Sequence, residues 1–418
     1  MKNDLSYSRF LSLTIVLIFA ISSFGSLAVF AQSGRQKPTG DQKKNQRDDQ
    51  KKKNEGQKDE EQKEELPKDI INKPTDDVES VATSIVNVDA VVYNKKTGQI
   101  VTGLKKENFA IFEEKEQQQI TNFSTPEAPI TVAVIVEYSK LGQTLGYYAS
   151  NGMENGKLEV IRPVASFLTQ FIKPPNDYAS VIAYDMRPTP LTDFTNDPQR
   201  LQQVISLLLR NNPAFTETNL FDAVKFTLVG GKGDAVVLED SKERTAEYGG
   251  IRDIQGRRKA ILLVASGLDT FSKINYDQAR KVIQSSGVPI YIIGTGNLFF
   301  KKYESQMGAT DGLAGSTQPG RMSFYQAQNT LTTFAKESGG AYFPITFEGE
   351  IRSALQSINA LLRNQYSLAF PVNEAKRDGK AHKLTVKVDV NGDGQYDDKE
   401  YVVQHRQVYM VPKLGDKK

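Results

Sequence analysis

Acidic and amide side chains stand at alternate positions in a short segment near the C-terminus. Asp389, Asn391 and Asp393 are followed at once by Gly394, and Glu400 closes the segment. Together they match every specified position of the twelve-residue calcium-loop pattern. Oxygen atoms at alternate positions of a tight curl suit a hard cation, and the glycine allows a turn that a Cβ atom would obstruct. The segment is therefore predicted to bind calcium.

The remaining ligand positions of this calcium loop are also filled. Gln395 offers its backbone carbonyl, Asp397 can ligate through a water molecule, and Glu400 supplies two oxygens. The alternative is a metal-free turn, because Asn-Gly and Asp-Gly dipeptides form turns without any ion. Repulsion between the carboxylates favours calcium, with a structural role. Strand patterns at 382–389 and 401–411 predict that a β-hairpin carries the loop.

The residue counts exclude whole classes of chemistry. The 418 residues include no cysteine and two histidines, His382 and His405. Thiolate catalysis, iron–sulfur clusters and cysteine zinc sites are excluded, and a three-histidine zinc site fails on the count. A Ser-His-Asp triad would have to use one of these two histidines. The formal net charge is only +3, so we expect no nucleic acid partner.

The N-terminus predicts export. Lys2 and Arg9 precede an apolar run over residues 10–30, and Ala31 follows it. This pattern predicts a signal peptide at residues 1–31, cleaved after Ala31, and a secreted, periplasmic or cell-envelope protein. The alternative is an uncleaved anchor, because the run is nearly long enough to span a bilayer. Membrane contact is expected only in that case.

A charged segment separates the signal peptide from the rest of the chain. Over residues 32–69, 21 of the 38 side chains are charged, 11 basic and 10 acidic, and none is aromatic. Such a segment cannot bury enough apolar area to offset the entropy lost on ordering. Residues 32–79 are therefore predicted to form a disordered linker.

Strand and helix patterns alternate over residues 128–364. Buried strands are predicted at 130–136, 179–184, 259–264 and 288–293, with shorter ones at 191–194 and 341–345. Helical spacing of apolar residues between them predicts an α/β domain with an open, doubly wound, mostly parallel Rossmann-like sheet. In such a sheet the functional crevice lies at the carboxyl ends of the strands.

Strand patterns flank this α/β domain on both sides. The N-terminal segment at 80–127 and the C-terminal segment at 365–418 are each too short to form a core of their own. We therefore expect the two segments to pack together as a small β domain, with the α/β domain inserted between them.

Short motifs occur along most of the chain in a fixed order. They are VTGL at 101–104, EYSKL at 137–141, TNLFDA at 218–223, RKA at 258–260 with SGLDT at 266–270, and RNQY at 363–366. The set resembles the von Willebrand factor A (VWA) domain family, in particular the VWFA-related proteins of acidobacterial type. No glycine-rich phosphate loop follows the first buried strand, so nucleotide-binding folds do not fit.

The resemblance implies a metal-ion-dependent adhesion site, which this chain carries in degenerate form. Glu137 replaces the aspartate of the first loop, Ser139 matches its first serine, and Leu141 replaces its second serine. Thr218 matches the second loop, whereas Ser266 replaces the aspartate of the third. Because hard-cation sites depend on their carboxylates, we expect no magnesium here. Ser139 and Thr218 are instead expected to bind backbone groups of the loops.

Other polar residues near this edge have expected structural roles. Asp222 and Asp269 are predicted to brace helix starts or loops, since carboxylates are favourable near helix N-termini. Residues 297–322 are rich in glycine and polar side chains, and we predict a loop insertion there.

These features predict an exported, non-enzymatic VWA-like module for protein–protein interaction or adhesion, with an unknown protein partner. One alternative is an envelope hydrolase that uses the crevice. That crevice lacks a histidine base, and Ser266 does not lie in a G-x-S-x-G motif. Another alternative is a structural envelope protein whose β segments mediate assembly.

Overall fold

A computed structural model describes residues 85–141, 155–234, 245–308, 319–373 and 376–413. The predicted signal peptide at 1–31 and the predicted linker at 32–79 lie outside the described residues. Among the helices that are described, none is both long enough and apolar enough to cross a membrane.

The described residues form sixteen strands and seven α-helices. The strands are β1 (Ile85–Asn94), β2 (Phe109–Glu113), β3 (Glu116–Gln118), β4 (Asn122–Ser124), β5 (Ile130–Glu137), β6 (Tyr178–Tyr184), β7 (Pro188–Thr195), β8 (Gly231–Asp234), β9 (Thr245–Tyr248), β10 (Arg258–Ala265), β11 (Ile290–Gly294), β12 (Tyr342–Pro344), β13 (Tyr366–Pro371), β14 (Ala381–Val388), β15 (Tyr401–His405) and β16 (Val408–Met410). The helices are α1 (Asn155–Phe171), α2 (Pro198–Arg210), α3 (Leu220–Val229), α4 (Tyr276–Ser286), α5 (Gly296–Tyr303), α6 (Arg321–Ser338) and α7 (Glu350–Arg363).

Six strands form the central sheet, in the order β12-β11-β10-β5-β6-β7. Neighbouring strands are parallel except at one edge, where β7 runs antiparallel to β6. Strand β5 is buried along its whole length, as expected for a strand covered on both faces. The predicted doubly wound, mostly parallel α/β class is confirmed.

Helices cover both faces of this sheet. Val134 and Leu262 pack with α1, α2 and α7 on one face. Ile135 and Ile261 pack with α3, α4 and α6 on the other. Successive side chains of a strand point to opposite faces, so one apolar run supplies both layers of the core.

The strands that flank the α/β domain form two antiparallel sheets, β15-β1-β13-β4 and β16-β14-β2-β3. Strand β1, which precedes the α/β domain, pairs with β13, which follows it, and β2 pairs likewise with β14. Val88, Ile111, Phe370 and Val386 belong to one shared core. The expected packing of the two flanking segments is confirmed, while the boundaries given for each domain stay predictions.

Two short stretches are divided between the two sheets of this β sandwich. Strand β3 ends at Gln118, and β4 begins at Asn122 in the other sheet. The stretch at 401–411, predicted as a strand, divides likewise into β15 and β16. The predicted calcium loop therefore joins β14 in one sheet to β15 in the other, so the predicted β-hairpin is wrong. Apolar alternation indicates a strand but does not specify its partner.

The loop insertion predicted at 297–322 is wrong where the structure describes it. Helix α5 covers Gly296–Tyr303, and α6 begins at Arg321. Phe299 and Phe300 are buried against Phe324. This tertiary burial stabilises a helix that the polar composition of the segment does not predict. The sequence pattern also missed the two-stranded sheet of β8 and β9.

Candidate functional site

The parallel strands of the central sheet end at one edge, which we call the carboxyl edge. Glu137 ends β5, Ser266 follows β10, and Thr218 lies in the loop before α3. Hydrogen bonds link these residues, together with Ser139, to each other or to the same loop backbone. Each of the four is at most 3% exposed. We call them the crevice network (Glu137, Ser139, Thr218 and Ser266).

The carboxyl group of Glu137 connects three adjacent strand ends. Its Oε1 accepts a hydrogen bond from Ser139 Oγ at 3.1 Å. Its Oε2 accepts from the Ser266 amide at 2.6 Å and from the Tyr184 hydroxyl, at the end of β6, at 3.4 Å. Burial raises the pKa of Glu137 above its ordinary value of 4.5, and the hydrogen bonds from Ser266, Ser139 and Tyr184 oppose that rise.

Thr218 fastens the loop that follows β10. Its hydroxyl donates to the Leu268 carbonyl oxygen at 2.8 Å, and its amide donates to Thr270 Oγ1 at 2.9 Å. Its carbonyl oxygen accepts from the amides of Thr270 and Phe271, both at 2.9 Å. Ser266 Oγ accepts from the Leu268 amide at 3.3 Å. The Thr218 hydroxyl thus binds a backbone oxygen of the loop, as expected, whereas the Ser139 hydroxyl donates to the side chain of Glu137.

As expected, Asp222 and Asp269 brace the first turn of α3 and the loop that follows β10. Asp222 accepts hydrogen bonds from the amides of Lys273 at 2.9 Å and Ile274 at 3.3 Å. Asp269 accepts from the Ser272 hydroxyl at 2.6 Å. Burial raises the pKa of Asp269, and the hydrogen bond from Ser272 opposes that rise.

Leu141 belongs to an apolar cluster at this edge. It is 8% exposed and packs in one cluster with Leu268, Phe299 and Phe324. The position at which the resemblance implies a ligating serine therefore contributes to hydrophobic packing.

The crevice network does not fit a hard divalent cation. It offers one carboxylate, Glu137, and both oxygens of that group accept hydrogen bonds from the protein. The hydroxyls of Ser139 and Thr218 are directed at protein oxygens. Within the described ranges, no group of three or more histidine, aspartate and glutamate side chains is placed to hold a metal ion. Hard cations need several oxygen ligands directed at one point.

The predicted calcium loop curls around its first aspartate. Asp389 is 9% exposed, and its two carboxylate oxygens accept from the amides of Gly392 at 2.7 Å, Asp393 at 3.2 Å and Gly394 at 2.8 Å. Asn391 Oδ1 accepts from the Asp393 amide at 2.9 Å. The backbone bonds close the curl that the spacing predicts.

The other predicted ligands of this loop lie further out. Asp397 Oδ2 accepts from the Val390 amide at 2.8 Å. Gln395 and Glu400 are exposed. The absence of three convergent histidine, aspartate or glutamate side chains among the described residues applies to this loop as well, and calcium binding here stays a prediction.

Sequence reasoning missed two residues at the carboxyl edge. The sequence pattern indicates only that Tyr184 ends a buried apolar strand, yet its hydroxyl donates a hydrogen bond to Glu137. Thr295 follows β11 and is fully buried, with no hydrogen-bond partner for its hydroxyl among the described residues. The one available signal was that each lies at or just after the carboxyl end of a strand.

Large apolar side chains are exposed around the same edge. Phe271 follows β10, Phe347 follows β12, and Met322 and Tyr325 lie in the first turns of α6, beside the buried Phe324. We call these four residues the apolar rim. Among the described residues, the large hydrophobic side chains that are exposed are Phe271, Met322, Tyr325 and Phe347 of the rim, at 52%, 49%, 49% and 57%, and Ile85 and Tyr396 of the β sandwich, at 48% and 41%.

Known proteins resemble this chain in fold at low sequence identity. No family model and no curated protein matches it. Similar solved structures include proximal thread matrix protein 1 from the mussel byssus, with 11% identity and a TM-score of 0.36. That match covers 60% of this chain and 49% of the mussel protein, about half of its length.

Two bacterial structures are similar to the same extent. The von Willebrand factor domain of the type V pili tip protein Mfa5 from Porphyromonas gingivalis is 14% identical, with a TM-score of 0.35, 57% of this chain covered and 95% of that one. The PilB minor pilin from Streptococcus sanguinis is 11% identical, with a TM-score of 0.37, 56% of this chain covered and 61% of that one. The fold assignment rests on the strand order described above.

Proposed function

We propose that the chain is an exported, non-enzymatic protein-interaction or adhesion module that binds a protein partner through its apolar rim. One observation carries the proposal: four of the six exposed large hydrophobic residues among those described surround the carboxyl edge. Exposed aromatic and other large apolar side chains at one edge of a fold are of the type that protein interfaces bury. Export rests on the predicted signal peptide, and the kinship with VWFA-related proteins of acidobacterial type rests on the ordered motifs.

The hydrolase alternative has less support from the geometry. Ser266 Oγ accepts the Leu268 amide, and the neighbouring carboxyl of Glu137 is fully buried. His382 lies in the β sandwich, 3.0 Å from Asp378. A general base must come within hydrogen-bond reach of the group it activates.

His405, the second histidine, also lies in the β sandwich and takes part in its structure. Its Nε2 accepts the Val386 amide at 3.2 Å, and its Nδ1 lies 2.6 Å from the Arg406 carbonyl oxygen. Burial lowers the pKa of His405, which favours the neutral ring that this hydrogen bond needs. We therefore propose an interaction module without catalytic residues.

Two statements about ions belong to this proposal. Because the crevice network directs its oxygens at protein donors and acceptors, we assign it no magnesium. The loop from Asp389 to Glu400 is assigned one structural calcium ion on its residue spacing. The loop joins the two sheets of the β sandwich, so an ion there would restrain both.

The rim is tested by comparing variants in one retention experiment. Wild type, a Phe271→Ser/Phe347→Ser double variant and the control Tyr396→Ser are immobilised and exposed to an envelope extract of the producing organism. We expect proteins that wild type and the control retain to be lost from the double variant. Thermal unfolding checks that each variant is folded.

Two outcomes would contradict the proposal. Retention of the same proteins by the double variant would show that the rim is not the binding surface. Loss of retention in Tyr396→Ser alone would favour the structural alternative, in which the β sandwich mediates assembly.

A further inference from the structure

We infer that the loop carrying Phe271 is a preformed binding loop, held in shape by hydrogen bonds without a metal ion. We further infer that its partner is a protein with an apolar pocket for the Phe271 ring. The inference about the partner rests on the function proposed above, whereas the inference about the loop does not.

The loop over residues 266–274, which we call the Phe271 loop, is bonded along its length. Six of its backbone amides donate hydrogen bonds, and the acceptors are Glu137, Ser266, Thr218 and Asp222. The donors are Ser266, Leu268, Thr270, Phe271, Lys273 and Ile274. An exposed loop with this many bonded amides has few alternative conformations.

Hydrogen bonds in which the loop supplies the acceptors also hold it in place. The amides of Phe221 and Asp222 donate to Ser272 Oγ at 3.1 and 3.2 Å. The Thr218 amide donates to Thr270 Oγ1. The first turn of α3 and the Phe271 loop therefore hold each other.

The base of the loop is also fixed by packing. Gly267 has a φ of +87°, and a Cβ there would come within 2.9 Å of Leu331 in α6. Leu268 is 7% exposed and lies in the apolar cluster with Phe324. The backbone at this turn thus requires glycine and a close approach to α6.

The backbone of Phe271 is held by a hydrogen bond, but its side chain is exposed. Its amide is bonded to Thr218, yet its side chain is 52% exposed. An aromatic group on a rigid backbone loses little entropy on binding, and burying it in an apolar pocket is a common source of binding energy. A protein surface with such a pocket is the partner that this geometry fits.

The loop is tested by amide hydrogen exchange, read by mass spectrometry over residues 266–274. Wild type is measured in EDTA and again with magnesium chloride, alongside Thr218→Val. The control is Thr227→Val, because both threonines are fully buried and each hydroxyl donates to a backbone carbonyl at 2.8 Å.

We expect slow exchange of the loop in EDTA and no change with magnesium. In Thr218→Val, exchange over 266–274 should accelerate on the order of tenfold, since one buried hydrogen bond is lost. Thr227→Val should leave this segment unchanged. Exchange at the rate of an unstructured peptide in EDTA, or protection that appears only with magnesium, would overturn the inference.

Two further variants keep the result interpretable. Ser272→Ala removes three hydrogen bonds at a partly exposed residue and serves if Thr218→Val does not fold. Phe271→Ser should keep the protection of the loop but lose the retained partner. A protected loop whose Phe271→Ser variant still binds would overturn the inferred partner alone, whereas continued retention by the Phe271→Ser/Phe347→Ser variant would overturn the proposed function. An unprotected loop would overturn the preformed loop alone.

Discussion

At the scale of single residues, Glu137 shows how the protonation of a buried carboxyl group depends on its surroundings. When the chain folds, this carboxyl group loses contact with water and accepts hydrogen bonds from Ser139, Ser266 and Tyr184. Burial raises its pKa in spite of those bonds. The folded protein therefore keeps a proton on Glu137 at pH values where the unfolded chain has lost it.

Replacing Glu137 by glutamine should make the thermal stability of the protein less dependent on pH between pH 4 and pH 8. Because the folded-state pKa of Glu137 is raised, its favourable contribution is complete below about pH 4.5 and is lost as pH rises through the folded-state pKa. Glu137→Gln cannot ionise and keeps an acceptor for the Ser266 amide. We expect its Tm to match wild type at pH 4 and to exceed it at pH 8.

Thermal unfolding across that pH range checks this expectation. Glu217→Gln, at an exposed carboxylate, is the control and should follow wild type throughout. A Glu137→Gln variant that is less stable than wild type at pH 8 would show that the ionised carboxylate is needed.

At the scale of elements, the loop that carries the predicted calcium ligands connects the two sheets of the sandwich. Strand β14 ends at Val388 and β15 begins at Tyr401, and the two strands belong to different sheets of the sandwich. Asp398 in this loop pairs with Lys387 of β14 at 2.9 Å. The amide of Lys95, just after β1, donates to the Glu400 carbonyl oxygen at 2.8 Å. Order in the loop is thus coupled to both sheets.

Calcium should therefore stabilise the whole sandwich if the loop binds it. Isothermal calorimetry with calcium chloride is expected to show one site in wild type and none in Asp393→Ala. Bound ion should raise the Tm of wild type by a few degrees, since a ligand that binds only the folded state shifts the unfolding equilibrium.

Asp398→Ala is the matched control, because Asp398 lies in the same loop outside the predicted ligand set. It should still bind calcium. Absence of binding in wild type would refute the calcium assignment and leave a turn closed by its own amides.

At the scale of the whole molecule, two buried arginines join the sandwich to the α/β domain. Arg406 follows β15 and donates to the carbonyl oxygens of Asn87 in β1 and Gln284 in α4. Arg258, which begins β10, donates to the carbonyl oxygen of Gln365, just before β13 of the sandwich, at 3.4 Å, and to those of Ala128 at 3.0 Å and Leu362 at 2.7 Å. Burial lowers the pKa of Arg406 to about 10, so it stays charged at neutral pH.

Removing the Arg406 guanidinium should weaken the protein as a whole. Arg406→Met keeps an unbranched apolar stem but removes the guanidinium and leaves buried carbonyl groups unsatisfied, and we expect a loss of about 3 kcal/mol in the free energy of unfolding. Urea denaturation measures that loss. Arg352→Met, at an exposed arginine of α7, should stay within about 0.5 kcal/mol of wild type. Equal stability of the two variants would show that Arg406 does not join the domains.

Much of the fold could be predicted because its signals are local. The apolar run at 130–136 and the helical spacing before Pro174 correspond to β5 and α1. The chain positions of Glu137, Thr218 and Ser266 indicated one edge of a parallel sheet, and the structure brings them there. Helix α5 could not be predicted in the same way, because its stability comes from burial against α6.

Local spacing of apolar residues specifies the alternation of strands and helices, and hence the doubly wound sheet and its carboxyl edge. Residue counts are enough to exclude cysteine chemistry. Three features emerge only in the folded protein: which strands pair in the sandwich, the burial of Leu141 in an apolar cluster, and the exposure of Phe271 on a loop held by hydrogen bonds. Pairing, burial and exposure depend on contacts between residues distant in the chain, which no local pattern specifies.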